Sequence, residues 1–218
     1  HIFLIGDSTG NQIGPVVAKS LERAYTFSNV YVSSEVWGPI FSNGYNKLVY
    51  LNAVLDIVVE LMINDADAFV VSFRYETFKE KKSEDGTLSL VRALEIARQK
   101  FSSNTRIIVL EAPVDLPDRG YHWLLPSRKD NLGAIEATRK AGQRGIFYEE
   151  FKKFAESNEN TFFLTLAADM FCKDGYCGPW VPGTRSLGFW DAYHLTNTGA
   201  FYLWPFFCDK FEEMGLFD

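Results

Sequence analysis

Three side chains in this sequence are of the types that acyl transfer to oxygen requires: the Ser8 hydroxyl, the His194 imidazole and the Asp191 carboxylate. A serine hydroxyl is a weak nucleophile by itself. It needs a base within hydrogen-bond reach, and the base needs an orienting group. Ser8 lies in the block GDST, residues 6–9, directly after the apolar run Ile2-Phe3-Leu4-Ile5. Asp191 and His194 lie in FWDAYHLTNTGA, residues 189–200, spaced i and i+3. In a turn or short helical segment, that spacing turns two side chains to the same side. Asp191 can then accept from one imidazole nitrogen, fixing the tautomer, while the other nitrogen takes the serine proton.

Each piece also has a plainer reading. Ser8 suits the N-cap of a helix that follows a strand. Asp191 and His194 suit a surface capping pair. Asp7 is expected to brace the turn through backbone hydrogen bonds rather than to react. Of the remaining histidines, His1 is terminal and His122 lies in a long irregular stretch. Their order in the chain raises the value of the pieces: a serine behind the first strand, and an Asp/His pair just before the last helix.

Elements must bring these distant ends together. Strand-like runs fall at residues 2–5, 29–34, 68–73, 106–112 and 161–166, mostly continuous apolar stretches such as AFVVSF and RIIVLEA. Continuous runs are expected of a parallel sheet covered on both faces. Helical patterns fall between them at 11–25, 48–63, 88–101 and 145–157, and a last one at 197–214 closes the chain. In the first, Ile13, Val16, Val17, Leu21 and Ala24 form a 3.6-period stripe. Alternating strands and helices predict a three-layer α/β/α fold, a doubly wound five-stranded parallel sheet of flavodoxin-like type. In such sheets ligands bind beyond the carboxyl ends of the strands, which is where Ser8 falls. The helix after Ser8 would aim free N–H groups at the same spot, favouring developing negative charge.

Composition excludes several other classes. The 218 residues carry a net charge of −6, with 47% hydrophobic and 16% aromatic residues. A chain of this length buries roughly 70% of its unfolded surface, enough for one domain over residues 1–218 without a metal or disulfide. No basic footprint for nucleic acid is present. The cluster Lys79, Lys81 and Lys82 is interrupted by Glu80 and followed by Glu84 and Asp85, as in a solvated loop. No apolar run reaches the ~18 residues that span a bilayer. The chain opens directly in a strand at His1, so it is expected to be a piece of a longer protein. Gly-rich phosphate fingerprints are absent, which argues against a flavodoxin-like cofactor protein. Neither a cofactor nor a metal is expected, because no Cys/His set has ligand spacing. Cys172 and Cys177 bracket KDGY and are either a small disulfide loop, pointing to an oxidising compartment, or two thiols. Cys208 reads as packing.

The GDS block at 6–8 together with DAYH at 191–194 resembles the SGNH, or GDSL-type, hydrolases. The likeness is closest to the SGNH domain fused to membrane acyltransferase-three domains, which transfer acyl groups onto glycans. CKDGYC at 172–177 before DAYHLTNTGA, Arg74-Tyr75 after the third strand and Pro113 after the fourth are similar to that subgroup. The resemblance implies Ser8 as nucleophile, His194 as base and then acid, and Asp191 as its orienting group. It also implies an oxyanion hole. The Ser8 amide supplies one donor, Gly38 in WGPI is the candidate glycine, and Arg74 stands near the place of the family's asparagine. Gly-x-Asn-Asp itself is absent. Arg74 would otherwise pair with Glu76 or Glu111. Tyr75, His122 and Trp190 are candidates to line an acyl or sugar site, though His122 with Tyr121 and Trp123 equally suits a cluster packed over the core.

The expectation is a serine O-acyltransferase or esterase acting on acyl groups of glycans. Its substrate would be an acyl ester or glycan, and it would be fed by an upstream membrane acyltransferase domain. It would sit on the extracellular, periplasmic or lumenal face, tethered to a membrane in the full-length protein. The alternative is a catalytically idle glycan-binding module that keeps the fold.

Overall fold

The structure is a computed structural model. It describes residues 1–21, 27–31, 66–73, 89–111, 147–165, 170–173, 176–177, 179–184, 186–191 and 194–217. The chain forms two compact units, each gathered from three stretches. One comprises His1–Ser8, Ser28–Leu110 and Ile146–Leu164; the other comprises Thr9–Phe27, Glu111–Gly145 and Thr165–Asp218.

The first unit is built on the sheet. Its strands are β1 (Ile2–Gly6), β2 (Phe27–Tyr31), β3 (Ala68–Ser72), β4 (Arg106–Leu110) and β5 (Thr161–Leu164), in the order β2-β1-β3-β4-β5. The ladders β1–β3, β3–β4 and β4–β5 are parallel, with Ile2 opposite Ala68, Phe69 opposite Ile107 and Ile108 opposite Phe162. All five residues of both β1 and β3 are buried, as is β4 from Ile107 onward. The continuous apolar runs therefore have their expected cause: a strand covered on both faces has no solvent side on which to place polar residues. The start of β4 is tied down by Thr105, whose hydroxyl donates to the Ala66 carbonyl at 2.8 Å.

Among the described residues, helices α2 (Ser89–Lys100) and α3 (Tyr148–Ser157) also belong to this unit, α2 packing on α3 and α3 on β5. Aromatic rings fill the second contact: Tyr148 meets Phe163 with centroids 5.2 Å apart, and Phe151 meets Phe163 at 5.8 Å. Residue 147 precedes α3 in a left-handed conformation, φ 65°, unusual for a phenylalanine, and its ring packs edge-on against Phe151 at 6.2 Å. That burial offsets a backbone cost that would normally select glycine or asparagine there.

The second unit contains most of α1 (Ser8–Leu21), the two-residue strands β6 (Cys172–Lys173) and β7 (Tyr176–Cys177), and helices α4 (Asn197–Tyr202) and α5 (Trp204–Glu213). Its core holds Phe171 against Phe189 at 4.8 Å and against Tyr202 at 5.4 Å, and Phe207 stacked on Phe211 at 5.6 Å. The backbones of β6 and β7 pair antiparallel, with Cys172 opposite Cys177.

The α/β fold with a parallel sheet matches expectation, while several boundaries move. The first helix begins at Ser8, not Asn11, because Ser8, Thr9 and Gly10 carry no apolar stripe to reveal it. The second strand begins at Phe27, two residues earlier than read. The single closing helix expected over 197–214 is two helices that break at Leu203. Pro205 explains the break: it has no N–H to give the Phe201 carbonyl, yet it is well tolerated in the first turn of a new helix. The helix expected at 48–63 lies outside the described residues.

Candidate active site

Ser8 is positioned by the junction of β1 and α1. The strand ends at Gly6, paired with Ser72 of β3, and the helix starts two residues later at Ser8. A sheet of order 2-1-3-4-5 reverses its winding between β1 and β3, and ligands enter at the carboxyl ends of those two strands. Asp7, between strand and helix, is 5% exposed, so a carboxyl side chain is enclosed at the very turn that presents the serine. Ser8 itself is half-buried. As the first residue of a 14-residue helix, it lies where backbone N–H groups have no carbonyl of the preceding turn to meet.

Asp191 and His194 lie in a compact backbone knot that precedes α4. The Trp190 N–H donates to the His194 carbonyl at 2.7 Å, closing a tight turn. Inside that turn Asp191 uses both carboxylate oxygens on one residue. Oδ1 accepts from the His194 backbone N–H at 2.8 Å, and Oδ2 lies 2.7 Å from Nδ1 of the His194 ring. An ionised carboxylate only accepts, so Nδ1 carries the hydrogen and Nε2 becomes the basic nitrogen. Both side chains are about one-fifth exposed, at 19% for His194 and 23% for Asp191, so the pair is partly shielded yet reachable from solvent.

The knot is anchored on its far side. The Thr196 hydroxyl donates to the Leu187 carbonyl at 2.6 Å and accepts from the Gly199 N–H at 3.0 Å, capping α4. The Thr196 N–H donates to the Gly188 carbonyl at 2.9 Å. The chain is so close here that a Cβ on Gly199 would fall 2.0 Å from the Gly188 oxygen. Glycine at 199 is thus required by backbone-to-backbone contact. Gly188 and Phe189 in turn donate to the Pro179 carbonyl at 2.6 and 3.1 Å.

A side-chain hydrogen bond ties this knot to the serine's helix. The N–H of Leu195, next to the histidine, donates to Oε1 of Gln12 at 2.9 Å, across 183 residues of sequence. Gln12 stands one helical turn after Ser8 on α1. Reading from the sequence alone passed over it, although the i, i+4 spacing from Ser8 puts both residues on one helix face.

The structure thus brings Asp191 and His194 into direct contact and places Ser8 at the head of the helix that reaches Leu195. Trp190, beside Asp191, is 62% exposed, unusual for the largest side chain. Gly38, Arg74, Tyr75 and His122 lie outside the described residues, as do the side chains of Cys172 and Cys177. Among the described residues, no group of three or more His, Cys, Asp or Glu side chains is arranged to hold a metal ion.

Comparison with known proteins decides the family. The family model described as SGNH domain (fused to AT3 domains) matches residues 1–209. The chain belongs to the SGNH domain family. That family is one of acyl-ester hydrolases and acyltransferases. The periplasmic domain of a lipopolysaccharide acetyltransferase from Salmonella ser. Paratyphi A is similar in structure. Its TM-score is 0.58 at 12% identity, and the match covers 97% of this chain and 83% of that one. A Streptococcus pneumonia protein described as a platelet activating factor matches with a TM-score of 0.53 at 13% identity, over 97% of this chain and 82% of that one. At such identities the likeness is one of fold. No curated protein sequence matches the chain. Among the described residues, no helix of this SGNH domain is long and apolar enough to cross a membrane.

Proposed function

We propose that this SGNH domain, treated as one domain through residues 1–218, is a serine-dependent enzyme that moves acyl groups on glycans. Ser8, His194 and Asp191 are its triad. The observation that carries the reading is the two-oxygen grip of Asp191 on His194, one oxygen on the ring and one on the backbone. A surface capping pair has no use for a fixed ring tautomer, whereas a general base depends on it.

The reaction proceeds in two halves. Nε2 of His194 takes the Ser8 proton as Oγ bonds to the acyl carbon, and Asp191 stabilises the imidazolium. The tetrahedral oxyanion is held by the Ser8 amide at the start of α1, with Gly38 and Arg74 as further donors. His194 then returns the proton to the departing alcohol, leaving an acyl-serine. In the second half an acceptor hydroxyl gives its proton to Nε2 and attacks the acyl carbon, and Ser8 leaves as the alcohol. A sugar hydroxyl makes the domain an O-acyltransferase; water makes it an esterase. The exposed Trp190 indole supplies an apolar face for a sugar ring beside the triad, with Tyr75 and His122 as further substrate contacts.

The family's fusion to AT3 domains supports an upstream membrane acyltransferase domain as the source of the acyl group. The periplasmic origin of the Salmonella domain supports a place on the extracellular, periplasmic or lumenal face, tethered to the membrane. No cofactor, metal or nucleic acid enters this mechanism. The rival reading, an idle glycan-binding module, is favoured by Arg74 standing where the family's oxyanion asparagine is expected.

A fluorophosphonate probe separates the two. Wild type labels covalently, and Ser8→Ala does not. A folded wild-type protein that fails to label, yet retains oligosaccharides on a glycan array, is the idle module. With an aryl acetate as donor and an oligosaccharide as acceptor, mass spectrometry of the sugar then distinguishes transfer from hydrolysis.

A further inference from the structure

We infer that Gln12 is a positioning residue that sets the distance between the serine's helix and the catalytic base. The inference rests on the triad proposed above and adds to it a residue outside the triad.

The argument starts from an obligation of the backbone. Leu195 is 4% exposed, and a buried N–H must find an acceptor. Its neighbours find theirs locally: His194 N–H on Asp191, and Thr196 N–H on Gly188. Leu195 N–H instead reaches the side chain of Gln12 at 2.9 Å. A backbone N–H only donates, so the amide atom facing it is the oxygen, which defines the Gln12 orientation.

The place of this bond in the chain gives it a function. On one side it acts on the residue bonded directly to His194. On the other it acts four residues after Ser8, on the same face of α1. The bond is therefore a crosslink with the proposed nucleophile one turn from one end and the proposed base one peptide from the other. The ring of His194 is already fixed relative to its own backbone by Asp191. The Gln12 carboxamide is a tie of defined length between that backbone and α1. Of its neighbours on the helix, Asn11 is exposed and Ile13 is buried.

The test uses four versions of the 218-residue chain. Gln12→Glu keeps an acceptor oxygen at the same reach. Gln12→Leu keeps the bulk and removes the acceptor. Gln12→Asn keeps the amide and shortens it by one carbon. Each is measured for the rate constant of fluorophosphonate labelling and for kcat and KM on p-nitrophenyl acetate. Amide exchange at Leu195 is followed by NMR. A misplacement of about 1 Å costs on the order of 10²-fold in such a step, so Gln12→Leu and Gln12→Asn are expected to lose about 10–100-fold in labelling rate and kcat. KM stays near wild type, the Leu195 amide exchanges faster, and Gln12→Glu recovers most of the rate.

Labelling and kcat at wild-type levels in either Gln12→Leu or Gln12→Asn overturn the inference and leave the triad standing. So does a loss in Gln12→Glu as large as in Gln12→Leu, since the acceptor is then not what matters. Should Gln12→Leu not fold, Gln12→Asn and Gln12→Glu carry the comparison alone. Absence of labelling in the wild type overturns the triad and this inference together.

Discussion

The sheet and the histidine knot are held by opposite means. In β1, β3 and β4 the ladder repeats at every residue and the packing is continuous, so no single hydrogen bond decides where a strand lies. Among the described residues between Pro179 and Gly199 there is no long ladder. These residues form two isolated bridges, Trp180 with Leu187 and Phe189 with Leu195, and a set of single bonds that each have one donor and one acceptor. The first region is redundant, and damage to it is spread over many contacts. The second is specified bond by bond, so one atom can be decisive. Packing is therefore concentrated in the first region, and the proposed base with its carboxylate lies in the second.

The largest effect expected on this contrast comes from Asp191→Asn. The side chain keeps its size and one acceptor oxygen but loses the charge that fixes the Nδ1–H tautomer. Turnover of p-nitrophenyl acetate should fall by about 10⁴-fold, the loss typical when the orienting carboxylate of a triad becomes an amide. The melting temperature should barely move. A loss below tenfold would mean that Asp191 does not orient a catalytic base.

Phe69→Ala tests the other region. Phe69 is fully buried in β3 and meets Phe101 with centroids 5.4 Å apart. Its truncation should cost ~3–5 kcal/mol of unfolding free energy, read from denaturant melts. Labelling per folded molecule should stay the same. A fall in labelling of the folded fraction would dissolve the separation between the two regions.

Gly199→Ala sharpens the comparison with a smaller effect, because it adds one methyl group where the knot is tightest. The new carbon would lie 2.0 Å from the Gly188 oxygen, so α4 must back away and stretch the Thr196–Gly188 bond. Overpacking of this kind costs ~1–3 kcal/mol. Here labelling and stability should fall together, whereas Asp191→Asn and Phe69→Ala each move only one of them.

The sheet was largely readable beforehand because burial on two faces leaves a local mark. Runs such as Ala68–Ser72 admit little but apolar side chains, and the pattern sits in consecutive residues. The Asp191–His194 pair was readable for the same reason: a three-residue spacing is local, and the turn that closes it is short. The start of α1 at Ser8 was hidden because GDST carries no periodic stripe. The break at Leu203 has only Pro205 as its local mark, while the apolar pattern runs on through both helices.

The sequence by itself determined the α/β class, the strands of the sheet and the residue types from which a triad can be drawn. Those follow from propensity, burial and short-range spacing, which act between near neighbours along the chain. Only the tertiary structure decided that Gln12 would meet Leu195 and that Gly199 must have no side chain. Such contacts join segments that are not neighbours along the chain. Neither residue's own neighbourhood carries a trace of its partner, because the requirement arises only once the two backbones have been brought side by side.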